Sequence, residues 1–254
     1  MGERADNRTV LEIAGNDRIA FLQGLVSNDV TRLDGRMAYA ALLSPQGKYL
    51  ADFFVSERGD TLLLDVHSDL APGLMRRLGM YKLRADVAIT PSPLHVRRGL
   101  GTPPQGALPD PRHPALGWRR YTDTPGTDPL IDWDAIRVAH CIPETGIELI
   151  PEETYILEAG FERLHGVDFK KGCYVGQEVT ARMKHKTELR KGLITVQITG
   201  TAPVGTEITT DGKPAGTLFT QSGGQAIAHL RFDRAEGPMR AGTATLRRAA
   251  LTPS

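Results

Sequence analysis

Phe169-Lys170-Lys171-Gly172-Cys173-Tyr174-Val175-Gly176-Gln177-Glu178-Val179-Thr180-Ala181-Arg182-Met183-Lys184 is the stretch on which the reading of this chain turns. It holds one of only 2 cysteines, set between Gly172 and Gly176, with Lys170 and Lys171 before it and Arg182 and Lys184 after it. Glycines at 172 and 176 admit backbone angles that other residues avoid, so the pattern predicts a loop opening into a helix over Gly176–Met183. Glu178 in the first turn and Arg182 and Lys184 near the last agree with the helix dipole. A thiol just before a helix N-terminus, among ammonium groups, ionises more readily than an ordinary cysteine, and thiolate is the form that attacks electrophiles and binds metal. The competing reading makes Cys173 a small buried hydrophobe, as most isolated cysteines are.

The 254 residues suffice for two packed units with an inserted lobe. A net charge of +1 gives no global pull toward nucleic acid or membrane. No apolar run is long enough for a secretory signal at the N-terminus or for a membrane span elsewhere. Cys141 and Cys173 form neither a disulfide framework nor a CxxC metal pattern, which sets a reducing, cytoplasmic compartment as the expectation.

From the N-terminus, Thr9–Ile13 has strand character, and Asp17 is placed to cap a helix through Ile19, Phe21, Leu22 and Leu25. Ser27-Asn28-Asp29 is turn chemistry first and a ligand-lining cluster second. Ala38–Leu43 and Lys48–Val55 flank Ser44-Pro45-Gln46-Gly47 as a hairpin. Thr61–Val66 is a strand, Ser68 or Asp69 caps a helix carrying Leu70, Leu74 and Leu78, and Lys82–Ile89 returns as a strand. Pro91–Pro129, dense in proline, is expected to be connector or rim, with short strands at Leu94–Arg98 and Leu116–Tyr121. Asp134 is read as the cap of a helix that Pro143 stops, with Cys141 as core filler, and Pro151 as the start of a further short helix. Glu158 falls in an apolar run, where a carboxylate points to solvent or needs a partner. Gly192–Ile198, Thr206–Thr210, Pro214–Ser222, Gln225–Leu230 and Thr243–Arg247 are short, closely spaced strands, the pattern of a small barrel beginning near Thr187.

Lys171-Gly172-Cys173-Tyr174-Val175-Gly176-Gln177-Glu178 resembles the signature of the YgfZ-type folate-binding proteins, relatives of the glycine cleavage T-protein, an aminomethyltransferase. The likeness continues in order. It takes in Gly15–Arg18 with Phe21–Asp29, Leu43–Lys48 with Ala51–Phe53, Tyr81–Val87, Asp110–Arg112 with Leu116–Arg119, and Pro143–Gly146. It implies an α+β fold of two α+β lobes around a central channel plus a small C-terminal β-barrel. The folate-binding region would span 1–187, as a first lobe (1–43 and 130–187) and an inserted second (44–129), with the barrel over 188–254.

The resemblance also implies tetrahydrofolate, or a related folate, as cofactor and a role in iron–sulfur cluster assembly or repair. Partners would be iron–sulfur assembly proteins or client enzymes, and a monomer is the expected state. Leu157-Glu158-Ala159-Gly160 matches the T-protein segment whose glutamate holds the pterin, and a carboxylate can accept paired hydrogen bonds from the pterin amino group and ring N–H. Lys171 and Cys173 are the signature residues assigned to chemistry. Tyr174, Gln177, Arg182 and Asn28 join Glu158 as folate-contacting candidates, the cationic segment attracting the glutamate tail. The T-protein acid lacks its asparagine context at Leu64–Leu70, so an aminomethyl transferase using Asp65 or Asp69 is the alternative function, and a protein-docking module a third.

Overall fold

The computed structural model describes residues 2–185 and 188–248, and the chain forms two compact units. The first comprises Met1–Ile131, Pro151–Glu153 and Phe161–Ala181. Its strands are β1 (Glu3–Arg4), β2 (Arg8–Ala14), β3 (Ala38–Leu43), β4 (Tyr49–Arg58), β5 (Thr61–His67), β6 (Ala88–Pro91), β7 (His95–Gly99), β8 (Leu108–Pro109) and β9 (Trp118–Thr122). Helices α1 (Arg18–Gln23) and α2 (Ala71–Lys82) accompany them. One sheet has the order β3-β4-β5-β2-β6 and a second the order β1-β7-β9-β8.

The first sheet is assembled from hairpins whose apolar faces carry Leu11, Ile13, Phe53, Val55 and Leu64, all buried, with Leu74 and Leu78 of α2 against them. Full burial of such side chains contributes roughly 1.5–3 kcal/mol each. Between the sheets, Ala5, Val10 and Leu63 meet Leu94 and Val96. The proline-rich stretch is therefore not rim. It supplies β7 and β9 and buries Asp110, Arg112, Trp118 and Arg119. Its polar sequence concealed this because each buried charge is paired, Asp110 with Arg112 and Arg119 inside the stretch and Arg119 also with Asp65 of β5.

Other local expectations shift for identifiable reasons. Asp17 accepts a hydrogen bond from Asp86 N at 2.8 Å rather than capping α1. Helix α2 runs through Lys82, where a strand was expected, and Leu83 at φ 44° ends it. The segment after Pro151 is a series of turns rather than a helix, since Glu152 (φ 66°) and His165 (φ 54°) sit in the left-handed region.

The second unit comprises Asp132–Ile150, Thr154–Gly160 and Arg182–Ser254. Helix α3 (Trp133–His140) is capped by Asp132, whose carboxylate accepts from Ala135 N at 2.9 Å, and not by Asp134. Asp134 instead pairs with Arg137 at 2.9 Å. Cys141, half-buried, takes φ 51° at the helix end. Helix α4 (Gln177–His185) follows, its chain passing from the first unit into the second.

Strands β10 (Lys191–Thr199), β11 (Glu207–Thr210), β12 (Lys213–Ser222), β13 (Gln225–Arg231), β14 (Met239–Ala241) and β15 (Ala244–Arg248) close into a barrel in the order β10-β13-β12-β11-β14-β15. Val196, Ile208, Leu218, Leu230, Met239 and Leu246 fill it. β14 escaped sequence reading because it is 3 residues long. The expected barrel start at Thr187 lies outside the described residues. Among the described residues no helix is long and apolar enough to cross a membrane.

Candidate functional site

The cysteine segment lies in the first unit, and its geometry begins at the turn after α1. Ser27 Oγ donates to Gly166 O at 2.6 Å and accepts from Ala41 N at 2.8 Å. Asn28 Nδ2 donates to Tyr39 O at 2.8 Å and to His165 O at 2.7 Å, so both amide N–H groups of this folate-contact candidate meet main chain. Asn28 nonetheless lines an open cavity of about 470 Å³ with His165, Asp168 and Lys170. Lys171 is buried, and its Nζ donates to Gln23 O at 2.8 Å, to Asn28 O at 3.0 Å and to Val26 O. Burial pushes this ammonium down to about 8, with Asp29 and Asp168 opposing.

Cys173 is exposed, so the buried-hydrophobe reading fails. Gly172 before it has open space where a Cβ would stand and needs no left-handed angle, contrary to expectation. Gly176 does need one. At φ 82° a Cβ there would lie 2.5 Å from Ser44 O, and a Cβ on Gly47 would lie 2.7 Å from Val179 Cβ. The hairpin turn and the start of α4 interlock through these two glycines. Tyr174 is buried under Lys171 Nζ, 5.0 Å from its ring centre, and burial pushes its hydroxyl up. Gln177 opens α4, its N–H donating to Tyr174 O at 3.2 Å.

Glu158 and Arg182 belong to the second unit. Leu193 N donates to Glu158 O at 2.8 Å, holding the glutamate beside β10. Its side chain lines a cavity of about 1100 Å³ together with Lys191, Thr217, His229, Arg231 and Arg234. Glu158 Oε2 lies 3.3 Å from His229 Nε2 and 3.5 Å from Lys191 Nζ, while Oε1 has no partner among the described residues. An open carboxylate oxygen, its fellow oxygen held beside a lysine ammonium and an imidazole nitrogen, fits an acceptor for the amino and ring N–H donors of a pterin. Arg182 is exposed on the last turn of α4 and does not line this cavity.

Sequence reasoning missed a buried polar cluster in the first unit. Asp65 pairs with Arg8 Nε at 2.6 Å and Arg119 Nη1 at 2.7 Å, and Asp110 with Arg112 at 2.8 Å and Arg119 at 3.1 Å. Three guanidiniums, of Arg8, Arg112 and Arg119, stand over the Phe54 ring at 5.5, 4.8 and 4.0 Å. Beside them Asp52 accepts from Tyr39 Oη at 3.0 Å and Tyr49 Oη at 2.7 Å. The available signal was charge inside strongly apolar strands, Asp52 in β4 and Asp65 in β5.

The fold defines the class. The crystal structure of glycine cleavage system aminomethyltransferase T from Bartonella henselae matches with a TM-score of 0.77, over 98% of this chain and 84% of that one, at 12% identity. At that identity the likeness is one of fold. Residues 190–252 match the model of the CAF17 C-terminal β-barrel domain.

Sequence similarity then narrows the class. The mitochondrial iron–sulfur cluster assembly factor IBA57 of Mus musculus is 31% identical, with 98% of this chain covering 82% of that protein. The Homo sapiens counterpart is 29% identical, at 93% and 79%. The chain belongs to the IBA57 family. The YgfZ-type resemblance is thereby corrected to that of a related family. The cytoplasmic expectation is overturned as well, because these relatives are named as mitochondrial. Cysteine usage is alike in every reducing compartment, which is why it could not name one.

Proposed function

We propose that this protein is an accessory factor in iron–sulfur cluster assembly or repair. Cys173 supplies a surface thiol to a cluster shared with a partner, and a folate is held at Glu158. The observation that carries the reading is the exposed Cys173 on a tethered loop in a chain of the IBA57 family. Two cysteines cannot supply the four thiolates of a conventional cluster, so the cluster is cargo held jointly with an assembly protein or client enzyme. In the folate part of the reading, the open Oε1 of Glu158 takes the pterin donors. Lys191 and His229 keep the carboxylate in place, and Thr217 and the arginines of the cavity face the remainder of the ligand.

The transferase alternative has less support. Asp65 is buried in two ion pairs, and the Asp69 side chain is 90% exposed, 3.8 Å from His67. Calorimetric titration of the full chain with tetrahydrofolate tests the folate part. Glu158→Gln removes at least one charge-assisted hydrogen bond, worth about 1.5–3 kcal/mol, and so weakens binding about tenfold or more. Equal affinity in both proteins removes Glu158 from the site. No heat from either removes folate and favours the docking-module reading.

A further inference from the structure

We infer that Lys171 is a positioning residue: enclosed by the carbonyls of Gln23, Val26 and Asn28, it fixes one end of the cysteine loop and so sets where the Cys173 sulfur stands, without acting on that sulfur through its own charge or protons. A lysine ammonium has three N–H donors and no acceptor. Each of the three carbonyls takes one, which leaves none for a thiol, a substrate or a cluster. A cation buried this way is a fixed strut, since moving it abandons three charge-assisted bonds together.

The same turn grips the chain on the upstream side of the loop. Ser27 Oγ holds Gly166 O at 2.6 Å, Asn28 Nδ2 holds His165 O at 2.7 Å, and Asp168 N donates to Ser27 O at 3.0 Å. Downstream, buried Tyr174 and the packing of Gly176 against Ser44 fix the other end. Gly172 and Cys173 are the exposed residues between the two mounts. At about 3.3–3.6 Å per residue, a link this short leaves the sulfur little room to wander. The lysine next to the cysteine in sequence thus serves the loop's position, while its charge is directed into the turn.

The inference takes its importance from the proposed role of Cys173, but its tests read the loop and the lysine directly. In Lys171→Met, amide hydrogen exchange across residues 169–176 quickens about tenfold or more. The pH midpoint for iodoacetamide alkylation of Cys173, followed on its own peptide, stays within about 0.3 unit of wild type. Gly172→Ala, which lies between the mounts and meets nothing, leaves both readings unchanged. A midpoint that climbs by about a unit while exchange stays slow makes Lys171 an electrostatic activator of the thiol and overturns the inference. Should Lys171→Met fail to fold, the wild-type lysine side-chain nitrogen spectrum decides. One ammonium with slowly exchanging protons is expected, and exchange of every lysine at the free rate refutes the clamp. A clamp that holds in a protein whose Cys173→Ala variant is fully functional would sink the proposed role and leave this inference standing.

Discussion

Replacing Asp65 by Asn should damage the stability of the first unit severely while leaving the shape of the side chain almost intact. Asp65 is completely buried, with Arg8 Nε at 2.6 Å on one oxygen and Arg119 Nη1 at 2.7 Å on the other. The substitution removes the charge and turns an N–H₂ toward one guanidinium. Neither arginine is wholly abandoned, because Arg8 keeps Asp65 O at 2.5 Å and Arg119 keeps Asp110 at 3.1 Å. Breaking a buried ion pair costs about 3–5 kcal/mol, and the retained partners place this case near the lower bound, at about 3 kcal/mol. For a chain of this size that is a fall in Tm of about 6–12 °C. Urea denaturation followed by far-ultraviolet circular dichroism measures it, the midpoint moving at constant slope. Because the two residues share the interaction, Asp65→Asn with Arg8→Gln should cost less than the two single changes added together. A loss below about 1 kcal/mol would show that the cluster is not holding the sheets together. That outcome would also reopen Asp65 as a reacting acid, the role the transferase alternative needs.

Two other perturbations follow from the same geometry. Gly176→Ala places a methyl 2.5 Å from Ser44 O at a φ of 82°, so it should cost about 1–3 kcal/mol in thermal unfolding, and an unchanged Tm would contradict the interlock of hairpin and α4. Burial alone would raise the Asp110 carboxyl, but Arg112 and Arg119 hold it down at about 2, against 3.8 for an ordinary aspartate. Its contribution is therefore complete above about pH 4 and is lost as pH falls through about 2, an effect of about 2 kcal/mol. Asp110→Asn should flatten that acid limb, and an unaltered acid profile would deny the pairing.

The parts of the fold legible in the sequence were those fixed by local rules. Pro45 and Gly47 marked the β3–β4 turn, and alternation with glycine turns marked five of the barrel strands, all near their observed positions. What stayed hidden was non-local. Nothing around Arg119 announces burial, because Asp65, one of the two carboxylates that make it tolerable, lies more than forty residues away in sequence. The same limit applied at the site. The segment around Cys173 was conspicuous, yet the target of Lys171 is three main-chain carbonyls, which carry no sequence signal. Glu158 was singled out through resemblance, whereas its neighbours Lys191 and His229 were not. His229, half-exposed between buried Ala228 and Leu230 of β13, is the position where strand alternation could have drawn attention to it.

The central claim is that the Cys173 thiol is the working group of an iron–sulfur accessory factor. It is met most directly by replacing the native gene with one encoding Cys173→Ala and assaying iron–sulfur enzymes in those cells, with the protein's abundance checked. Because Cys173 is exposed, the variant should accumulate normally while those enzymes lose activity. Normal abundance together with full enzyme activity would contradict the account.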